Sequence, residues 1–419
     1  MDRTRIGVMN DILFIGHRIP FPPDRGDKIR SHHILKALAQ IAPVHVATFA
    51  DDDADLAEEA ELAHLACSYR LVRRKKPLVL AGMQALLARG SVSKAAFFDQ
   101  SLADYIAQTL ASHPIATIYV FSGQMGQYVP ADFNGRVIAD FVDVDSAKFE
   151  AYGQRGKGPM RWVNAREAKV LRAEEAQLAQ RADASLLITQ EEAQLFTARL
   201  SAEARKCCTV DVLGNGIDSD FFHADLVLPE PKLEQFSGGK LIFTGQMDYG
   251  PNVDAVVRMA RRILPIIRRE LPETTFHIVG RNPVRAVADL AALPGSHVWG
   301  RVDDMRTWLK GADMAVAPLD IARGVQNKVL EAMAMELPVV LSSAAATGIG
   351  AADGQHFAIA DSDAGLAGAA IRLLRDADAA RVMGQQARQY VVDVQSWQAA
   401  MAELPGLIRG QSGGMRDAA

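Results

Sequence analysis

The chain has 419 residues, 49% hydrophobic and 23% charged, enough apolar material for more than one globular core and too much for a disordered or fibrous protein. Its net charge of −4 offers nucleic acid no general attraction. The three cysteines, Cys67 and the adjacent Cys207 and Cys208, make neither a disulfide framework nor a CxxC metal pattern, so a reducing cytoplasm is the expected setting.

The first ten residues are polar and lack the apolar stretch of a signal peptide; Met9 is an alternative start. Short β-branched or aromatic runs then alternate with helical patterns. Strands are expected at Ile12 to Gly16, Val44 to Phe49, Ile115 to Phe121, Arg136 to Phe141 and Ala184 to Thr189, with amphipathic helices at Lys28 to Ile41 and Trp162 to Gln180. After the helix-breaking Gly214-Asn215-Gly216 and the Pro- and Glu-rich Leu228 to Gly239, the alternation resumes. Its strands are Lys240 to Thr244, Thr275 to Val279, His297 to Trp299, Asp313 to Ala317, Pro338 to Ser342 and Phe357 to Ala360. The expectation is α/β: two doubly wound parallel-sheet domains, residues 1–215 and 240–389, joined by a linker at 216–239. Ligands bind at the carboxyl ends of such strands, so a cleft enzyme is the natural reading. A helix over 390–408 is expected to return to the first domain, and 409–419 to be a flexible tail. The longest uncharged run, Leu337 to Ala352, is interrupted by Ser342, Ser343, Gly348 and Gly350 and falls short of a membrane span.

Several local signals have structural explanations. Thr189 and Glu192 form a capping-box pattern. Gly348-Ile349-Gly350 has Asp353 where a dinucleotide fingerprint has its third glycine, and His32 and His33 lie about 100° apart on a helix, unsuited to one metal. Asp143-Val144-Asp145 looks like the metal-binding DxD of single-domain glycosyltransferases, which the tandem organisation argues against. Asp143 remains a candidate for acceptor binding or catalysis because it ends a strand; a helix-cap role is the alternative.

The most informative stretch is Arg323-Gly324-Val325-Gln326-Asn327-Lys328-Val329-Leu330-Glu331, which opens a helix that Pro338 ends. Unpaired N–H groups at such a helix start bind phosphate. Lys328 and Glu331, three residues apart, share a face, so an ammonium reaches a diphosphate while a carboxylate accepts two vicinal hydroxyls such as those of ribose. An ordinary surface ion pair has the same spacing. In the first half, Arg18, Arg25, Lys28 and Arg30 surround Gly26 in a cationic loop after the first strand, a second candidate for phosphate or acceptor. From Leu62 to Phe98 there is no Asp or Glu, while Arg70, Arg73, Arg74, Lys75, Lys76, Arg89 and Lys94 are present. This basic island, 70–94 in particular, suits an anionic membrane surface or a solvated helical face.

The segment around Lys328 resembles the nucleotide-sugar signature of retaining GT-B glycosyltransferases of glycosyltransferase family 4. Phe243-Thr244-Gly245-Gln246-Met247 with Pro251-Asn252, Ile278-Val279-Gly280, Val298-Trp299-Gly300-Arg301-Val302 and Ala312-Asp313 to Leu319 agree in order and spacing, and Asn215-Gly216-Ile217-Asp218 resembles the family's hinge. The amino-terminal half matches more loosely, and there Pro20 to Leu38 and Phe141 to Ser146, followed by Lys148, Phe149 and Tyr152, resemble a narrower subgroup, the sugar transferases of PEP-CTERM/exosortase exopolysaccharide systems. The resemblance implies a nucleotide-sugar donor held by Gly245, Gln246, Arg301, Val302, Arg323, Gly324, Val325, Gln326, Asn327, Lys328 and Glu331. It also implies a saccharide or polyprenyl-linked acceptor, retention of configuration, and neither metal nor other cofactor. Three departures stand out: Arg323 replaces a usual glutamate, Gln246 and Asn252 replace a usual arginine and lysine, and Ser122-Gly123-Gln124 replaces a usual histidine region. A nucleotide-sugar epimerase of the same fold and an inactive polysaccharide-assembly subunit are the rival readings.

Overall fold

The structure, a computed structural model, describes residues 10–88, 90–155, 158–322 and 324–410. It divides into two compact units, one running to Asn215 and resuming at Met401, the other spanning Gly216–Ala400.

The first unit is a seven-stranded parallel sheet of β1 (Asp11–Gly16), β2 (Val44–Ala50), β3 (Ser68–Arg73), β4 (Ile115–Phe121), β5 (Arg136–Val142), β6 (Ala184–Leu187) and β7 (Val210–Val212), in the order β3-β2-β1-β4-β5-β6-β7. Near-continuous apolar runs such as Ile12-Leu13-Phe14-Ile15 make the central strands, because a parallel sheet is covered on both faces. The edge strands β3 and β7 are half-exposed and carry charge; sequence pattern missed both, since edges lack that apolar run. The second unit repeats the plan with β8 (Lys240–Thr244), β9 (Thr275–Val279), β10 (Ser296–Gly300), β11 (Met314–Ala317), β12 (Val339–Leu341) and β13 (Ala358–Ile359), ordered β10-β9-β8-β11-β12-β13. The expected α/β class with two doubly wound parallel sheets is therefore what the chain forms. In each sheet the strand order reverses once, between β1 and β4 and between β8 and β11, which puts a ligand-binding crevice beyond those carboxyl ends.

Two segments differ from expectation. The stretch expected as a linker, 216–239, is packed into the second unit: Ile217, Ala224 and Leu233 enter its core, Ile217 N–H donates to the Gln395 carbonyl (2.7 Å), and Arg388 Nη1 donates to the Phe222 carbonyl (2.9 Å). Pro and Glu there mark short turns around buried anchors. The single helix expected over 390–408 is broken at Ser396, which caps a new turn at Ala399 N–H (3.0 Å). Only the last helix, Leu404–Arg409, belongs to the first unit, where the Leu407 carbonyl accepts from Arg136 Nε (2.6 Å). The expected tail beyond Gly410, and Met9, lie outside the described residues. Among the described residues no helix is long and apolar enough to cross a membrane.

Candidate functional site

The site is built at the strand-order reversal of the second sheet. β8 is followed directly by Gly245 and β9 by Gly280, with φ of 151° and 157°. A Cβ on Gly280 would lie 1.7 Å from the Gly245 carbonyl oxygen, so only glycine lets the two strand ends approach this closely. A Cβ on Gly245 would lie 3.5 Å from Lys328 Cε, which places the turn directly against that side chain.

Lys328 and Glu331 sit on the helix Asn327–Ala334, whose Val329, Leu330, Ala332, Met333 and Ala334 are buried against β11 and β12. The helix start has no side-chain cap, so its first backbone N–H groups are presented outward along with Gly324, Val325 and Asn327, all exposed. The half-buried Lys328 Nζ lies 4.8 Å above the Phe243 ring and donates to Asn252 Oδ1 (2.5 Å); Asn252 Nδ2 in turn donates to the Gln246 carbonyl (2.9 Å). Burial pulls the Lys328 ammonium down to about 8, and Glu331 offsets this only in part. Burial likewise raises the Glu331 carboxyl, with Lys328 opposing. Among the described residues no hydrogen-bond donor meets that carboxylate. The neutral amide of Asn252 thus orients Lys328 without adding a countercharge.

The loop between β11 and this helix is pinned from behind by Arg258, nearly buried, which donates to the Pro318 carbonyl (3.3 Å), Asp320 (2.8 Å) and Asp363 (2.7 Å). Val325 packs toward Gly348, and the Gly348-Ile349-Gly350 turn is clipped by Tyr390 OH on the Ile349 carbonyl (2.6 Å), a structural use of those glycines. Arg323 lies outside the described residues. Gln246 lies against Arg281, and the amide orientation that satisfies both groups has its oxygen accepting from Arg281 Nε (2.9 Å). Arg281 is exposed, follows Gly280 at the end of β9, and was missed by sequence reasoning because it is 35 positions from Gln246; the signal was a cation directly after a strand-ending glycine. Arg301 and Val302 occupy the equivalent place after β10, Arg301 exposed and Val302 against the core. Beneath them His277 accepts from Trp299 Nε1 (3.1 Å) and bonds Thr275 (2.9 Å); burial, then His297, pull its pKa down to about 3, so it is a neutral packing residue.

The first unit's loop corrects the sequence reading. Lys28 is buried, its Nζ held by Asp55 (2.6 Å) and the Phe21 carbonyl (2.9 Å); Arg30 is buried against Asp140 (3.0 Å), which also accepts from Tyr119 OH (2.9 Å). Neither is free for phosphate, because removing such charges from water requires the partners they have. Arg18 bonds Asp27 and Asp51, and Arg25 lies 3.7 and 3.6 Å from the same two. Burial alone would raise the Asp27 carboxyl, but His17 and Arg18 outweigh it and hold it well below the usual range. Gly26 has open space where a Cβ would be. The residue missed here is His17, at the end of β1. Its ring stacks on Phe121 at the end of β4 (5.7 Å), Nε2 meets Asp27 (3.3 Å), and Nδ1 is buried with no partner among the described residues. Asp143 and Asp145 share the Lys148 ammonium (2.8 and 3.2 Å), and Val142 before them has φ of 68°, strained for a β-branched residue. Glu192 sends its carboxylate to Val144 N–H (2.8 Å) while its own N–H donates to Thr189 (3.2 Å), so only half of the expected capping box forms. Among the described residues one group has metal-ligand spacing, Asp11, His45 and His113, at the amino ends of β1, β2 and β4. Both His45 nitrogens are already engaged, by Asp11 (3.1 Å) and Ser68 (2.7 Å), as in a satisfied core histidine.

Residues 238–376, about a third of the chain, match the sequence family described as glycosyl transferases group 1. Solved structures with the same fold include Anabaena HepE in complex with UDP and glucose (14% identity, 96% of this chain and 100% of that one, TM-score 0.57) and sucrose-phosphate synthase from Thermosynechococcus elongatus (14%, 96% and 99%, 0.57). A glycosyltransferase from Rickettsia africae aligns similarly (12%, 96% and 99%, 0.60). No curated protein sequence matches the chain. The two-sheet architecture is thus that of GT-B glycosyltransferases, and the second unit carries the group 1 domain.

Proposed function

We propose that the chain transfers a sugar from a nucleoside diphosphate sugar to a saccharide or polyprenyl-linked acceptor, with retention of configuration, in exopolysaccharide assembly. The observation that carries this is the Lys328–Glu331 face: a half-buried cation that Glu331 offsets only in part and a carboxylate with no hydrogen-bond donor among the described residues, beside an uncapped helix start at the strand-order reversal, inside the region that matches a glycosyltransferase family.

In this reading Lys328 and the first N–H groups of its helix bind the diphosphate, Arg281 supplies the second cation that Gln246 and Asn252 do not, and Glu331 accepts from the ribose hydroxyls. Arg301 and Val302 flank the base, while Gly245 and Gly324 let backbone approach the phosphate and sugar. The bond from the anomeric carbon to the diphosphate oxygen breaks, a bond to the acceptor oxygen forms on the same face, and the acceptor proton passes to the departing phosphate. Negative charge grows on that leaving group, where fixed cations stabilise the transition state most. With that charge met by side chains and a helix start, the reading assigns no metal or other cofactor. His17 and Asp143, at the carboxyl edge of the first sheet, are the candidate acceptor contacts. Glu331→Ala should lose roughly 1.5 to 3 kcal/mol of charge-assisted hydrogen bonding, a tenfold to hundredfold drop in kcat/KM for the donor. Undiminished turnover would sink the assignment.

A further inference from the structure

The helix Leu78–Leu87 is inside out. A helix resting on a core turns its large apolar side chains inward. Here the buried residues are Ala81 and Ala85, whereas Val79, Met83, Leu86 and Leu87 point to solvent, Val79 76% and Leu87 87% exposed. Positions 79, 83, 86 and 87 make one helical face, and the helix carries no charge. A second helix also exposes apolar side chains: Pro159–Arg181 leaves Met160, Trp162 and Val163 near its start in solvent. Arg166, one turn beyond Trp162, ties the two together by donating to the Ala85 and Gly90 carbonyls (3.2 and 3.1 Å). Exposed large apolar side chains gathered on one helical face mark an interaction surface.

Charge identifies the partner. The acid-free stretch from Leu62 to Phe98 contains this helix. Some of its cations are structural: Arg73 and Arg74 pair with Asp53 and Asp51, and Lys76 donates to the Ala95 and Phe98 carbonyls. Arg70 and Lys75, leading into the helix, and Arg161 and Lys169 on its neighbour are exposed. An exposed apolar helix face and a nearby exposed tryptophan, in a region that also exposes cations, match an anionic bilayer: side chains enter the acyl boundary, the indole lies at headgroup level and the cations meet lipid phosphates. We propose that the exposed face of the helix Leu78–Leu87, together with the start of its neighbour, docks the protein on an anionic membrane surface without spanning it. The proposal goes beyond the sugar-transfer reading and stands or falls independently of it.

The test is flotation of the full chain with vesicles of phosphatidylcholine alone or with added phosphatidylglycerol. Wild type should float only with the anionic vesicles, and its tryptophan emission should shift blue, a shift that Trp162→Phe removes. Leu86→Ser with Leu87→Ser should cut partitioning at least about tenfold, and Arg70→Glu or Lys75→Glu at least about fivefold each. All four positions are solvent-exposed, so the melting temperature should not move. Equal flotation with neutral vesicles, or flotation indifferent to these substitutions, would overturn the proposal. So would absence of flotation together with self-association that the Leu86 and Leu87 substitutions abolish, which would assign the face to a second copy of the chain.

Discussion

The loop after β1 and the loop between β11 and the helix Asn327–Ala334 each follow a strand at the strand-order reversal of their sheet, and both look cationic in sequence, yet their cations differ in kind. In the first, Lys28 and Arg30 are buried on carboxylates, and Arg18 and Arg25 share Asp27 and Asp51. In the second, Lys328 has an amide oxygen for a partner and is pulled down to about 8 by burial. A cation with a carboxylate holds the fold together, whereas one left with a neutral partner is available to an anionic ligand.

The difference predicts opposite behaviour on mutation. Lys28→Met strands Asp55 in the interior and should cost roughly 3 to 5 kcal/mol of stability, read by denaturant unfolding, with affinity for UDP in the folded fraction unchanged. Lys328→Met should leave stability unchanged or raised, since a charge that Glu331 offsets only in part is removed from a half-buried place, while affinity for UDP falls about tenfold or more. Equal effects of the two substitutions on both readouts would erase the distinction.

pH sharpens it further. Lys328 is charged below about 8 and neutral above, and a bound diphosphate needs the ammonium. Affinity for UDP should therefore be flat from neutral pH to about 8 and fall above it, and Lys328→Met should flatten the profile. For the free protein the sign is reversed: the unfolded lysine titrates at its ordinary, higher value, so the folded state gains stability as pH rises from about 8 towards that value. The smallest expected effect is at Arg281. An exposed cation on a diphosphate is worth about 1 kcal/mol, so Arg281→Gln should weaken UDP about fivefold and UMP less, and adding Gln246→Arg should restore it by returning a cation to the turn.

Much of this was legible in the sequence because it rests on short-range pattern. Buried parallel strands read as apolar runs, and the segment Gly324 to Glu331 carries its glycine, cation and carboxylate at fixed spacing. What sequence did not show is pairing across distance. Nothing near Lys28 in the chain announces Asp55 as its buried partner, and Arg281 meets Gln246 only because β8 and β9 lie side by side. His17 was passed over because its position beside Phe121 depends on β1 pairing with β4. The inverted helix Leu78–Leu87 has an ordinary apolar sequence; only exposure shows which face is out.

The most direct test is calorimetric titration of the full chain with UDP and UMP, for wild type, Lys328→Met and Lys28→Met. The account predicts that wild type binds UDP more tightly than UMP, that Lys328→Met loses most of that difference, and that Lys28→Met keeps it. Failure of wild type to bind either nucleotide, or loss of the UDP preference in Lys28→Met and not in Lys328→Met, would contradict it.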